Sequence, residues 1–176
     1  GNAQEGPLWL HVDGATATAV GVLWNHGFDD DEAKVAGLAR VLATCRLTRG
    51  RDAVPELLAS GLHVGSDYAL AFGVVPAGDV TRATRFLTAL LEEEPASVSL
   101  SDDVIALAVA RAALAADDAE FVYPGSVLLR RGRERLGRGT AVARPPAGSA
   151  RAIARLTPDA VRQALREPVA VRIAGL

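Results

Sequence analysis

Three histidines, His11, His26 and His63, are the first residues to test for metal chemistry in this chain. A helical zinc site of the His-Glu-x-x-His kind needs two imidazoles four residues apart, so that both leave one face of the helix. None of the three has such a partner, because His11 falls on a predicted strand, His26 in a loop and His63 beside a turn. Structural histidines are therefore the default. The runs Asp29-Asp30-Asp31 and Glu92-Glu93-Glu94 offer carboxylates for acid–base or calcium work, yet each lies at a predicted helix terminus and neither has the alternating spacing of a calcium loop. Neither Ser60-Gly61 nor Gly65-Ser66-Asp67 supplies the strand-to-helix elbow of a serine nucleophile. Gly132 and Gly137 to Gly139 lie among arginines without the strand-loop-helix setting of a phosphate loop. Cys45 stands alone on an apolar helical stripe, which predicts a buried inert thiol, rules out a disulfide framework and leaves the redox compartment open.

Composition bounds the classes. A chain of 176 residues, 49% apolar, fits one domain with its own core, expected over residues 8–176 behind a tail at 1–7. The formal charge of -2 argues against a nucleic-acid surface. Arg130, Arg131, Arg133, Arg135 and Arg138 concentrate positive charge locally, but without the interleaved aromatics that stack bases, so they read as a solvated face. No apolar run reaches the roughly 18 to 20 residues of a membrane span, and Arg111 interrupts the longest candidate, residues 104–116. No signal peptide is visible, and the absence of methionine, even at position 1, is expected of a trimmed or processed chain. The compartment stays open.

The elements that must position these groups follow from periodicity. Alternation predicts a strand over residues 8–12, and Asp13-Gly14 a tight turn into a second strand over 16–24, giving a hairpin. Both faces of the second strand suit burial, so it should be central. A helix over 31–46 follows, with Asp29, Asp30 and Asp31 at its N-terminus and Val35, Leu38, Leu42 and Cys45 at helical spacing. Thr48-Arg49-Gly50-Arg51 should break it, and a short helix over 52–59, with Pro55 in its first turn, should end at Gly61. Strands are expected at 62–64 and 68–75, then a helix over 79–93 facing inward through Val80, Ala83, Phe86, Leu87, Leu90 and Leu91. After a connector at 92–99, Ser101 caps a helix over 102–116, and residues 117–149 read as irregular around a helix at 128–138. Thr157 caps a last helix with Pro158 at its first position, Pro168 stops it, and a strand over 169–174 closes the chain. This order predicts an α+β fold, a two-layer sandwich of a mostly antiparallel sheet with helices packed on one face.

Local wording goes further. Residues 19–30, AlaValGlyValLeuTrpAsnHisGlyPheAspAsp, followed by GlyLeuAlaArgValLeuAlaThr at 37–44, resemble a strand, acidic loop and metal-binding helix of the pitrilysin-type zinc metallopeptidases, the family of mitochondrial processing peptidase and its bacterial relatives. Residues 52–72 resemble that family's next helix and strand, 77–92 a helix of its helical pair, and 153–165 with 169–175 its closing helix and strand. The resemblance covers one homologous domain, from about Leu8 to the end.

In active members the signature His-x-x-Glu-His follows that Gly-Leu-Ala; its histidines and a downstream glutamate bind zinc, and its own glutamate acts as base toward the metal-bound water. Position by position, the resemblance puts Arg40 and Thr44 where the histidines belong and Ala43 where the glutamate belongs. A guanidinium does not ligate zinc, alanine is no base, and a threonine hydroxyl is a poor ligand. Glu120 lies at about the distance of the downstream ligand and is assigned no role. The resemblance thus implies no catalytic residues, no metal and no cofactor. It implies instead an inactive peptidase-like domain that partners an active homologous domain or subunit, as a homo- or hetero-dimer, and either helps hold peptide substrate or acts as a scaffold that stabilises the assembly, any peptide being expected at a sheet edge by strand addition. Such a chain is either the signature-free half of a paired peptidase or a non-catalytic subunit. Two rivals stand beside it: a divergent metallohydrolase with a rebuilt site on His11, His26 or His63, and a purely structural subunit.

Overall fold

A computed structural model describes residues 8–9, 14–32, 35–91, 100–121, 124–138, 140 and 148–175. Its elements are β1 (Leu8–Trp9), β2 (Ala17–Trp24), α1 (Leu38–Ala53), β3 (Ala59–Val64), β4 (Ala69–Pro76), α2 (Val80–Leu91), α3 (Asp102–Phe121), α4 (Pro124–Leu136), α5 (Ala150–Ile153), α6 (Pro158–Arg166) and β5 (Val171–Gly175). The sheet runs β1-β5-β2-β4-β3, antiparallel except where β1 lies parallel to β5. Register places Val22 opposite Ala71 and Ile173, and Trp24 opposite Ala69 and Val171. The small residues Ala69, Ala71 and Gly73 thus share a face with Val20, Val22 and Trp24, and α1 and α2 pack on it. The fold is α+β, with a mostly antiparallel sheet and helices on one side.

α1 is enclosed from two directions. Ala39, Ala43 and Leu47 join the sheet and Phe86 and Leu90 of α2 in one core. Val41, Leu42 and Cys45 join Ile105, Ala108 and Ala112 of α3, Ile153 of α5 and Val161 and Leu165 of α6 in a second. Arg162 of α6 ties the second layer together by binding Asp102, Asp159 and the carbonyl of Leu100.

Several boundaries depart from the sequence reading. The first hairpin does not form: the described part of its first strand, β1, pairs with β5, and β5 takes the place beside β2 through five paired residues. Residues 10–13 and the expected tail at 1–7 lie outside the described residues. α1 starts at Leu38 rather than Asp31, after Gly37 at φ 107, and runs through Thr48-Arg49-Gly50-Arg51 to Ala53. Gly50 does not stop it, because that glycine makes room for α2: a β-carbon there would lie 2.6 Å from Cε2 of Phe86. The short helix at 52–59 is absent. Asp52 and Ala53 end α1, Pro55 prevents continuation, and Leu58 N–H already donates to Val74 of the sheet at 2.8 Å. Gly61 therefore sits within β3.

On α2, Phe86 and Leu90 are buried as expected, whereas Val80 is 71% and Leu91 38% exposed because each lies at a helix end beyond the core. The connector at 92–99 is outside the described residues. The stretch after residue 116 is more regular than its glycines and prolines suggest, since α3 extends to Phe121 and α4 starts at Pro124. The one-turn α5 escapes periodicity by its shortness; Ser149 Oγ accepts from Ala152 N–H, and Ser149 N–H donates to Ala36. At the end, Thr157 Oγ1 accepts from Ala160 N–H at 3.3 Å with Pro158 opening α6, as expected. β5 begins two residues later than expected.

Gly50→Ala tests the packing account. Helix propensity alone favours alanine by about 1 kcal/mol, but overpacking against the fully buried Phe86 costs about 1–3 kcal/mol. Thermal or urea unfolding should therefore show a net loss; a gain would show that Gly50 is only a weak helix residue.

Candidate functional site

Because two sides of α1 are committed to cores, one stripe is left for polar residues: Arg40, Thr44, Thr48 and Arg51. The threonine hydroxyls turn back on the helix, Thr44 Oγ1 donating to Arg40 O at 2.8 Å and Thr48 Oγ1 to Thr44 O at 2.9 Å. Arg40 is half-buried, its Nε is buried without a hydrogen-bond partner, and burial lowers its pKa. The stripe opens on a cavity of about 220 Å3 that Arg40, Thr44, Thr48 and Arg51 line together with Leu62 of β3 and Arg111 of α3. Of the three signature positions, Arg40 and Thr44 thus meet at one cavity. Ala43 does not: it is 0% exposed, inside the sheet-side core.

The other candidates are spread through the fold. His26 Nε2 lies 3.3 Å from Oδ1 of Asp31, His63 on β3 stacks obliquely on Tyr68 with centroids 5.6 Å apart, and His11 is outside the described residues. Among the described residues, no group of three or more His, Cys, Asp or Glu is placed to hold a metal ion. Glu120 stands one residue before the end of α3.

The acidic loop holds α1 in place. Asp31 is 2% exposed and accepts Gly37 N–H at 2.7 Å and Ala39 N–H at 3.0 Å, so it caps the helix from six and eight residues upstream instead of from its first turn. Asp30 Oδ2 accepts Gly27 N–H at 2.7 Å. Sequence reasoning missed Arg46, which is 6% exposed with its guanidinium 4.6 Å from the Trp24 ring. Burial and the like charge of Arg49 lower its pKa to about 10. It also missed Arg51 and Arg111 as site residues. The i, i+4, i+8, i+11 spacing of Arg40, Thr44, Thr48 and Arg51 carried the signal for Arg51; Arg111 had only its isolation in an apolar helix.

Cys45 is buried as expected, and burial raises its thiol pKa to about 11 against a smaller opposing effect of Arg49 and Arg46.

No sequence profile of a known family and no curated protein matches the chain. Solved structures do. A protease from Helicobacter pylori superposes with a TM-score of 0.75 at 13% identity, over 97% of this chain and 42% of its own. An inactive domain of an M16 peptidase from Pseudomonas fluorescens gives 0.67 at 17%, over 98% and 44%. Pitrilysin gives 0.70 at 14%, over 95% and 19%. The structures similar to this chain thus include M16, pitrilysin-like peptidases and an inactive M16 domain, and the likeness is one of fold. The chain spans less than half the length of each.

Two measurements check this description. Ala43→Glu buries a carboxylate among apolar side chains and should cost about 3 kcal/mol or more in unfolding free energy; a near-neutral change would mean that position 43 opens to the cavity. Cys45, with its folded pKa raised above the roughly 8.5 of an unfolded thiol, should resist an aromatic disulfide reagent at pH 8 until the chain is denatured. Its contribution to stability is complete below the unfolded pKa and is lost as pH climbs toward about 11. That alkaline loss should be absent in Cys45→Ala.

Proposed function

We propose that this chain is a catalytically inactive zinc-peptidase-like domain that serves an active peptidase domain or subunit as a peptide-binding or scaffold partner. The observation that carries the reading is α1 itself. Where the resemblance expects two zinc-binding histidines and a glutamate base, Arg40 and Thr44 border a cavity and Ala43 is sealed in the core. The likeness to an inactive M16 domain supports it.

Two surfaces support a partner role. The helices that touch the sheet, α1 and α2, do so on one face. The opposite face carries half-buried Leu23, Leu70, Phe72 and Val74 in neighbouring register positions, an apolar surface suited to a second domain. At the sheet edge, β3 pairs with β4 alone among the described residues, and its other side, which meets no described strand, suits an extended peptide added as a further strand. The divergent metallohydrolase draws no support from the described histidines, neither of which belongs to a group of three or more described His, Cys, Asp or Glu placed to hold a metal ion. Peptide binding separates the proposed role from that of a purely structural subunit.

Mixing the chain with an active homologous subunit from its native source should give a stoichiometric complex by sedimentation, while the chain alone leaves unstructured peptides intact with or without added zinc. Leu70→Glu on the open sheet face should abolish the complex with the melting temperature little changed. Stoichiometric zinc binding accompanied by peptide cleavage would overturn the proposal.

A further inference from the structure

The cavity beside α1 is lined by three guanidinium-bearing residues from two helices. Arg40 and Arg51 come from α1, Arg111 from α3, 60 residues further on than Arg51. No acidic residue is among the described residues that line it, and none of the three arginines makes an ion pair with a described residue. The three guanidinium groups place donors around one space, and Arg40 adds a buried Nε that lacks an acceptor. An anion in the cavity would supply that acceptor. The threonines do not compete for that role, since Thr44 and Thr48 direct their hydroxyl protons to helix carbonyls.

Size and surroundings narrow the anion. At about 220 Å3 the cavity is smaller than the roughly 300 to 1,000 Å3 of small-molecule pockets and suits a single side chain or chain end. It adjoins a larger cavity of about 750 Å3 that shares Thr48, Arg51 and Arg111. The larger one runs along Leu58, Ala59 and Ser60, where the edge strand β3 begins, and Asp52 is the sole carboxylate among its described lining residues. A peptide extended along β3 would pass the mouth of the arginine cavity.

We propose that Arg40, Arg51 and Arg111 form a carboxylate-binding subsite that anchors an acidic group of a peptide laid along β3. The proposal rests on the reading of this chain as a peptide-holding inactive domain, and gives that role a preference for acidic peptides. Guanidinium suits it, because its planar fork can meet both oxygens of a carboxylate. The same chemistry can come from a glutamate or aspartate side chain or from a C-terminal carboxylate.

Fluorescence anisotropy with the 176-residue chain separates these sources. The probes are labelled extended peptides of about nine residues: one with a central glutamate and an amidated C-terminus, its glutamine counterpart, and the glutamine peptide with a free C-terminus. At low salt, one carboxylate-bearing peptide should bind roughly tenfold more tightly than the neutral one, and raising NaCl from about 50 to about 500 mM should shrink the difference. Arg51→Gln and Arg111→Gln, both at exposed positions, should each reduce the preference several-fold with the melting temperature unchanged. Equal affinity for charged and neutral peptides, a preference that survives both substitutions, or no binding by any peptide would overturn the subsite. Equal binding of all three would leave the peptide-holding role standing, and complex formation with an active subunit is read in a separate experiment.

Discussion

The structure depends on α1 being packed from two sides. A helix that meets a sheet on one flank and three further helices on another has no freedom to rotate or slide, because its first two turns contribute side chains to both cores and its last two continue the sheet-side core. Ala39 and Ala43 let the sheet approach, while Val41, Leu42 and Cys45 fill the space under α3, α5 and α6. What remains is a narrow polar stripe in a fixed direction. Any group placed on it is held by the rigidity of the whole domain, which makes the stripe a good position for chemistry or recognition.

The entrance to α1 is fastened just as firmly. Asp31 is taken out of water, and its charge is met by backbone N–H groups at the helix start, charge-assisted bonds of about 1.5–3 kcal/mol each. Gly37 accepts the left-handed conformation that joins loop to helix, and a β-carbon there would strike Ile153 of α5 at 2.5 Å. One glycine therefore answers two demands, a backbone turn and a close approach. Arg46 closes the other side of the same region by lying over Trp24 at the end of β2, a contact that compensates part of the cost of burying its charge.

Features set by local chemistry were legible in the chain. The Thr157-Pro158 start of α6, the Ser101 cap of α3 and the alternating pattern of β2 and β4 depend on neighbours in sequence, and each appears where the residues predict it. What failed was non-local. Gly50 reads as a breaker until Phe86 is seen against it, and Asp31 reads as a first-turn residue until its carboxylate is seen reaching across six residues. The place of β5 between β1 and β2 is a property of the sheet, which no turn signal encodes. At the site, Arg40 and Thr44 stood out by resemblance, while Arg111 joins them only because α3 crosses α1.

The three positions that the resemblance sets against the signature lie in two different environments, and the difference carries meaning. Position 43 is part of the core, where alanine permits the close approach of helix and sheet and a carboxylate would have no partner. Positions 40 and 44 border a cavity, and what stands there is a large cation and a small hydroxyl rather than apolar filler. Leucine or phenylalanine at these positions would fill the space and bury more apolar surface. Instead Arg40 shares the cavity with two more arginines, Arg51 and Arg111. An opening lined by guanidinium groups offers donors to an anion, and Arg40, half-buried with an Nε that lacks an acceptor, is the one of the three with the most to gain from such a partner.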